Sequence, residues 1–366
     1  MSAEHYDLAI IGAGIVGVCL AVDATAAGMR TVLIDANAPG LGASAAAMGH
    51  LVALGSDEHE LRLCQLGQRR WREYGDLPRA QWSDAGTLWI AANEAEIAPL
   101  QERSKQLSRL GISSEWLDTQ ALNEAEPGLR PRLPGALRVT DDALIYPPGA
   151  LLDLLQRAQQ AGLKLRSGHA VSELRESDMQ LSDGSRIAAG QRVVCCGLHS
   201  AQLLPGLPLI PRRGQLAITD RGLHAPRHAL VEAGYVATTQ SGVGVACNIQ
   251  PRPGGQLLIG ASREASSETT LNPALLGRML KRAIDFYPVL AQLPVIRCWS
   301  GIRPSSADGH PFIGAWPALK QTWVAAGHEG LGITTAPATA SLLMDMLLGR
   351  TSELDVAAYD PARALI

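Results

Sequence analysis

One stretch near the start, "YDLAIIGAGIVGVCLAVDATAAGMRTVLID", constrains the fold of this chain more than any other feature. An apolar run over 8–11 is typical of a strand buried on both faces of a parallel sheet. It leads directly into Gly12-x-Gly14-x-x-Gly17, and a helical pattern and a second strand ending in Asp35 follow. The sequence therefore predicts a complete βαβ unit of the dinucleotide-binding type.

The glycines and the acidic residue have separate predicted tasks. Gly12 makes the turn, Gly14 lets backbone N–H groups approach a diphosphate at the positive helix end, and Gly17 permits close helix–strand packing. Asp35, 18 residues beyond Gly17, is expected to accept hydrogen bonds from the adenosine ribose, which argues against a 2′-phosphate. We predict cofactor contacts from Gly12, Ala13, Gly14, Ile15, Val16, Gly17, Asp35 and Ala36.

The glycine fingerprint alone does not distinguish an NAD-binding from an FAD-binding domain. After Asp35 comes "ANAPGLGASAAAMGHLVAL", which is too rich in Gly, Ala and Ser to pack as an ordinary helix or strand. An NAD-binding domain usually proceeds directly to its next helix, whereas a flavin must lie further from the sheet. We therefore favour FAD.

Composition limits the class of partner. The chain has 366 residues, 46% of them hydrophobic, and a net charge of −3 without any basic block, so nothing indicates nucleic acid. No apolar run reaches the ~20 residues needed to span a bilayer, although a peripheral membrane contact would leave no such mark. The start "MSAEHYD" lacks the pattern of a signal peptide, so we expect a cytoplasmic protein acting on a small molecule.

The six cysteines show no C-x-x-C spacing, so we expect neither a metal site nor an iron–sulfur cluster on this chain. Electron transfer must then use an organic cofactor or a partner protein.

Helical and strand-like segments interleave through the rest of the chain without one clear linker, which indicates an α/β fold with domains that are discontinuous in sequence. Alternating strand-like runs and turns from Pro211 to Gly260 suggest an antiparallel sheet in the second domain. We expect an FAD-binding domain over 1–85, 143–208 and 296–366, and a substrate domain over 86–142 and 209–295.

The segment "GIRPSSADGHPFIG", followed by "GHEGLGITTAP", carries a family resemblance. Together with the N-terminal unit, "GASAAAMGHL", "VVCCGLHS" and "PRRGQL", it resembles the D-amino-acid oxidase and glycine oxidase family over essentially the whole chain. The "GHEGLGITTAP" version looks most like the FAD subunits of D-hydroxyproline, opine and hydrogen-cyanide-synthase type amine dehydrogenases. The resemblance implies a Rossmann-like FAD-binding domain with an interleaved antiparallel-sheet substrate domain, the glutathione-reductase-type fold.

The resemblance also implies how the flavin is held. A helix beginning near Thr334 would direct its positive end at the flavin N1–C2=O edge, where reduction places negative charge, and the glycines before it would let the backbone approach the ring. His328 would fix this loop. The implied contacts are Ala43, Ser44, Met48, Gly49, Val171, Gly197, His328, Gly330, Leu331, Gly332, Ile333 and Thr334.

For the substrate, the resemblance places Arg303 over the flavin, where a guanidinium can hold a carboxylate through two parallel hydrogen bonds. The segment "GASAAAMGHL" corresponds to the loop that contacts the flavin in the family, and we call it the flavin loop. His50 lies near its end and is a candidate for substrate binding or proton transfer. Glu329 and Gly330 replace a second carboxylate-binding Arg of glycine oxidase, which leaves room for a larger substrate. Arg212 and Arg213 flank the substrate sheet, and a solvated pair is the simpler interpretation.

Some relatives attach flavin covalently. Gly301 aligns with the cysteine used in the monomeric sarcosine oxidase branch, which excludes that route, and His50 is a remote second candidate. We expect non-covalent FAD.

The implied reaction is oxidation of a carboxylated amine or imino acid of the D-hydroxyproline, opine or D-amino-acid type, with hydride transfer from Cα to flavin N5. Electrons would pass to a partner subunit of a heteromeric dehydrogenase or to a quinone, and we expect an oligomer. One alternative is a glycine or D-amino-acid oxidase that uses O₂. A second is a non-catalytic flavin-binding subunit of a complex.

Overall fold

The computed structural model describes residues 5–222, 225–234 and 244–365. The strands are β1 (His5–Ile11), β2 (Thr31–Asp35), β3 (His50–Leu51), β4 (Thr87–Ile90), β5 (Ser114–Asp118), β6 (Gly135–Val139), β7 (Ala143–Leu144), β8 (Lys164–Ser167), β9 (Val171–Leu174), β10 (Asp178–Leu181), β11 (Arg186–Val194), β12 (Ile210–Thr219), β13 (Ala229–Glu232), β14 (Gly244–Pro251), β15 (Leu257–Ala265), β16 (Val295–Ser305), β17 (Phe312–Ala315) and β18 (Thr322–Ala326). The α-helices are α1 (Ile15–Ala26), α2 (Ala43–Ala46), α3 (Glu58–Glu73), α4 (Ile97–Arg109), α5 (Thr119–Ala125), α6 (Pro147–Gln160), α7 (Ser200–Leu203), α8 (Pro273–Phe286) and α9 (Gly332–Leu347).

The first sheet has the strand order β17-β18-β11-β1-β2-β8, with β9 and β10 extending from β11. Its central pairs are parallel, and β1 lies between β11 and β2. Successive residues of β1 point into different cores: Leu8 and Ile10 pack with helices α1 and α9, whereas Ala9 and Ile11 pack on the opposite face. This two-sided burial explains why the strand is apolar throughout.

The second sheet has eight strands in the order β16-β12-β15-β14-β13-β4-β6-β5. All pairs are antiparallel except β13 with β4, which is parallel, so the sheet expected to be antiparallel is mixed. Helix α8 covers one face, where Met279 and Phe286 pack against Leu88 and Ile249. Within the predicted sheet region, residues 235–243 lie outside the described residues.

Strand pairing bears on the domain boundaries. Strand β16, which the sequence assignment gives to the FAD-binding domain, pairs with β12 along its length in the second sheet. We therefore propose that the last FAD-binding segment begins near residue 306 rather than at 296, and we keep the other boundaries as a proposal.

None of the helices in the described ranges is both long enough and apolar enough to cross a membrane.

Candidate active site

A cavity of about 820 Å³ extends between the two sheets. One end is lined by Asp35 and Val171, at the carboxyl edge of the first sheet. The other end is lined by β12, β16 and the loop before α9, including Arg303 and Glu329. A single large ligand can therefore contact both sheets.

The glycine fingerprint forms the wall between these ends. Gly12 has φ +113°, a conformation that side chains disfavour, and a Cβ there would lie 2.6 Å from the carbonyl oxygen of Cys195. A Cβ on Gly17 would lie 1.9 Å from the carbonyl oxygen of Gly12, so the helix can pack this closely only with glycine. The N–H of Ile15 donates to Ser44 Oγ at 3.0 Å, which ties the flavin loop to the start of α1.

Asp35 closes the first end of the cavity. Its Oδ2 accepts a hydrogen bond from the N–H of Ala13 at 2.7 Å, and its Oδ1 accepts one from Asn37 at 2.8 Å. The carboxylate is therefore held by backbone donors on the cavity wall, in the place where the sequence predicts a ribose.

Most of the predicted site residues meet at this cavity. Those on its wall are Gly12, Gly14, Ile15, Val16, Asp35, Ala36, Ala43, Ser44, Met48, Gly49, His50, Val171, Gly197, Arg303, His328, Glu329, Gly330, Leu331, Gly332 and Ile333. The structure does not place Ala13, Gly17 or Thr334 on the wall. Ala13 and Gly17 instead support it from behind.

Thr334 lies inside α9, which begins two residues earlier than predicted, at Gly332. Its hydroxyl donates to the carbonyl of His50 at 2.9 Å and accepts from the N–H of Val52 at 3.2 Å. The side chain thus joins α9 to β3 and faces away from the cavity.

The loop before α9 contains a residue other than glycine with a positive φ. Of its three glycines, only Gly327 has a positive φ, at +86°, whereas Glu329 adopts φ +51° without being a glycine. A non-glycine residue in this region is strained and is held there by its surroundings. His328 is buried, its Nε2 lies 3.0 Å from Thr339 Oγ1, and burial lowers its pKa to about 4. These contacts support the loop-fixing task predicted for His328.

Arg303 lies on β16 and extends across β12. Its guanidinium occupies the space above Gly214, where a Cβ would come within 2.2 Å of Nη2. Its hydrogen bonds are long, 3.3 and 3.4 Å from Nη1 and Nη2 to the carbonyl of Ser262. Among the described residues no carboxylate pairs with it, so its charge is available to a ligand in the cavity.

Arg263 is a site residue that the sequence reasoning missed. Its Nη1 forms an ion pair with Glu329 Oε1 at 3.0 Å, and both residues line the cavity. In the sequence, "GASREASS" reads as an ordinary strand end, so no local signal identified it. The pair explains how an acidic residue is accommodated where the resemblance leads one to expect an arginine.

His50 is half-buried, and its Nε2 lies 2.7 Å from Thr87 Oγ1. Burial, reinforced by the charge of Arg252, lowers its pKa to about 3. His50 is therefore neutral near pH 7. Thr87 and Asp142 lie behind it, and burial raises the pKa of Asp142 to about 6.

Arg252, also missed from the sequence, holds the flavin loop. It donates to the carbonyl of Ile145 at 2.8 Å and to the carbonyl of Met48. Burial lowers its pKa to about 10, so it stays charged. Nearby, a Cβ on Gly301 would lie 2.5 Å from Ala46 Cβ, which leaves no room for a side chain at the position of the aligned cysteine.

The neighbouring arginines near the start of β12, Arg212 and Arg213, have different environments. Arg213 is only 8% exposed, pairs with Glu264 at 2.9 Å and donates to the carbonyl of Thr270 at 2.7 Å. The interpretation of a solvated pair is therefore wrong for Arg213. Arg212 faces the cavity.

The fold and the cavity define an enzyme of the dinucleotide-binding class, with a ligand cleft between a parallel and a mixed sheet. The DAO family model, described as FAD dependent oxidoreductase, matches residues 7–346. Glycine oxidase of Geobacillus kaustophilus (strain HTA426) is 27% identical over 381 residues, covering 98% of this chain and 97% of that protein. The crystal structure of glycine oxidase from Geobacillus kaustophilus superposes with a TM-score of 0.89 at 25% identity, covering 98% of this chain and 99% of that one. L-proline dehydrogenase from P. horikoshii has the same fold, with a TM-score of 0.89 at 20% identity over 99% of this chain and 98% of that one.

The chain belongs to the DAO family of FAD-dependent oxidoreductases. The residues present fit FAD: the fingerprint glycines leave a cradle at the start of α1, Asp35 lies at the strand end beyond it, and the cavity continues to the start of α9. The predicted family, fold class and cofactor are thereby confirmed.

Proposed function

We propose that this enzyme oxidises a carboxylated amine or imino acid of the D-hydroxyproline, opine or D-amino-acid type. The observation that carries the proposal is Arg303, a guanidinium on the cavity wall without a carboxylate partner among the described residues. A planar guanidinium fork suits a carboxylate, which it can hold by two charge-assisted hydrogen bonds.

Arg303 fixes the orientation of the substrate. Gly214 leaves the space in which the guanidinium lies, and the carbonyl of Ser262 anchors it from behind. A carboxylate bound here would hold the adjacent Cα at a set distance and angle from the floor of the cavity. Catalysis of this kind depends on positioning, to which an error of about 1 Å is costly.

Glu329 and His50 complete the polar wall. Glu329 Oε1 is engaged by Arg263, while its Oε2 is buried without a hydrogen-bond partner among the described residues, so it can accept an N–H from the substrate amine. His50 is neutral near pH 7 because burial lowers its pKa to about 3, and it serves as a hydrogen-bonding group rather than a proton acceptor.

The cofactor contacts are part of the same proposal. Backbone N–H groups at the start of α1 would hold the diphosphate, Asp35 the adenosine ribose, and the positive end of α9 the flavin. Bound FAD supplies a hydride acceptor for the substrate carbon. The amine loses that hydride from Cα and a proton from nitrogen, and water hydrolyses the resulting imine to an oxo acid and an amine, unless a cyclic imine is released.

For the electron acceptor we propose a partner protein or a quinone, on the resemblance of "GHEGLGITTAP" to dehydrogenase subunits. Oxygen is the second candidate, because relatives that cover 94% or more of this chain are named glycine oxidases. A glycine at position 330, in place of the second carboxylate-binding Arg, disfavours glycine itself as the substrate.

The test compares amines with and without a carboxylate. Under anaerobic conditions, sarcosine and D-proline are mixed with the purified chain beside dimethylamine and pyrrolidine, and flavin absorbance is followed. We expect the flavin to be reduced only by the amines that carry a carboxylate. We also expect Arg303→Met to raise KM for these amines at least ~100-fold, because it removes two charged hydrogen bonds worth ~1.5–3 kcal/mol each. Equal reduction by the amines without a carboxylate would refute the proposal.

A further inference from the structure

Arg212 lies beside Arg303 on the cavity wall. The two residues are direct partners across the antiparallel strands β12 and β16. Residues that are opposite each other in such a pair project from the same face of the sheet, about 5 Å apart at their Cα atoms. Both side chains line the cavity, so a ligand held by Arg303 lies within reach of Arg212.

Arg212 differs from its neighbours in lacking a partner. Arg213 is paired with Glu264, and Arg263 with Glu329. With the residues that the structure describes, the side chain of Arg212 makes neither a hydrogen bond nor an ion pair, and its Nε is shielded from solvent. A buried donor without an acceptor is destabilising, and a guanidinium cannot escape this cost by losing its proton.

The charges around this end of the cavity leave two cations to be compensated. Arg263 and Glu329 neutralise each other. The other carboxylates on the wall are engaged elsewhere: Asp308 with Arg363, Glu60 with Ser56, and Asp35 with backbone N–H groups. Arg303 and Arg212 are therefore the two arginines on the wall without a negatively charged partner. A substrate with one carboxylate would compensate the charge of only one of them.

We propose that Arg212 binds a second carboxylate, and that the substrate is a secondary amine with a carboxylate on each of its two carbon arms. This inference rests on the proposed function, in which Arg303 holds the first carboxylate. The C–N–C bridge of such an amine sets its carboxylates a few bonds apart, which suits two arginines on adjacent strands. Arg212 is a binding residue in this account and takes no part in proton transfer.

The first experiment measures binding without turnover. Glutarate, which has two carboxylates, and butyrate, which has one, are titrated into the FAD-loaded enzyme, and Kd is read from the change in the flavin spectrum. We expect glutarate to bind at least ~100-fold more tightly than butyrate, because each of two charged hydrogen bonds to Arg212 is expected to lower Kd by at least ~10-fold. In Arg212→Met the ratio should fall below ~10, with butyrate unchanged.

The second experiment measures anaerobic flavin reduction by iminodiacetate and by its monoamide, N-(carbamoylmethyl)glycine, in which a neutral amide replaces one of the two carboxylates. In the wild type, flavin reduction should be more efficient with the diacid than with the monoamide. Arg212→Met should lose this difference, and Arg212→Lys should keep part of it. Arg278→Met, which removes an exposed arginine on α8, is the matched control and should behave as the wild type.

Three results would overturn the proposal: equal affinity for glutarate and butyrate in the wild type, an equal loss for both ligands in Arg212→Met, or loss of FAD from that variant, which would assign Arg212 to the cofactor. If monocarboxylated amines reduce the flavin in an Arg303-dependent manner while the diacid has no advantage, this proposal fails and the proposed function stands. If no carboxylated amine reduces the flavin, both fail.

Discussion

Replacing Gly214 by alanine is a direct way to test whether Arg303 acts from the position it occupies. An alanine Cβ would lie 2.2 Å from Arg303 Nη2, 2.6 Å from Cζ and 2.8 Å from Nη1. Ordinary contacts begin near 3.4 Å, so the guanidinium has to move by about 1 Å, a displacement that can cost ~100-fold in rate. The clash involves only the end of a flexible side chain, and the backbone of β12 can stay in place.

We therefore expect Gly214→Ala to lower kcat/KM for a carboxylated amine by roughly 100-fold, or about 2.8 kcal/mol at 1.4 kcal/mol per tenfold change. The effect should be smaller than that of Arg303→Met, which removes two charged hydrogen bonds worth ~1.5–3 kcal/mol each. The assay is anaerobic flavin reduction over a range of substrate concentrations, with FAD content and thermal stability measured in parallel.

The matched control is Gly277→Ala on helix α8. No atom lies within 4 Å of a Cβ at that position, and alanine in a helix interior is favoured over glycine by ~0.5–1 kcal/mol. This variant should keep wild-type kinetics. A Gly214→Ala enzyme with full FAD content and an unchanged kcat/KM would refute the assignment of Arg303 to the substrate carboxylate.

Three further predictions concern His50, His328 and the cofactor. Because the pKa of His50 is lowered to about 3, His50→Gln should alter turnover and yet leave every inflection of kcat/KM between pH 5 and 9 in place; a lost inflection near pH 6 to 7 would contradict this. Burial lowers the pKa of His328 from the ordinary 6.5 to about 4, so its contribution to stability is present at pH 7 and is lost as the pH falls through 6.5 toward 4. Relative to His328→Asn, the wild type should lose about 2 kcal/mol of unfolding free energy between pH 7 and pH 5 in urea titrations, and parallel pH curves would sink this reasoning. Acid precipitation should leave FAD in the supernatant, whereas a yellow pellet would show covalent attachment.

The first fold unit was predictable because its signals are local. The apolar run of β1, the glycines after it and the strand ending in Asp35 each depend on a few neighbouring residues, and all three lie where expected. Such signals reflect local backbone conformation and burial on both faces of a strand, and both can be recognised from the residue types of a short segment.

The polar wall of the cavity was less predictable because its contacts join distant segments. Arg263 pairs with Glu329, 66 positions later, and Arg252 holds the carbonyl of Met48, which is 204 positions away. Neither arginine lies in a recognisable motif. The sheet to which β16 belongs is hidden from the sequence for the same reason, since only its pairing with β12 shows it, and this pairing supports the proposed boundary near residue 306.

Thr334 shows which part of a contact the sequence leaves open. The sequence indicates a helix start there, and the helix does begin close by. The partner of the side chain depends on how the helix packs against β3, far away in sequence. The hydroxyl donates to the carbonyl of His50 on that strand.

We propose that this enzyme oxidises a carboxylated amine and that Arg303 holds its carboxylate. The decisive measurement is the visible spectrum of the purified, FAD-loaded protein during anaerobic titration with D-hydroxyproline, D-proline, D-alanine, glycine, sarcosine and an opine. We predict that at least one of them bleaches the flavin, that Arg303→Met abolishes bleaching at the same concentration, and that colour returns slowly in air if the acceptor is a partner or a quinone. A flavin that stays oxidised with every compound, or bleaches equally in Arg303→Met, would contradict the account.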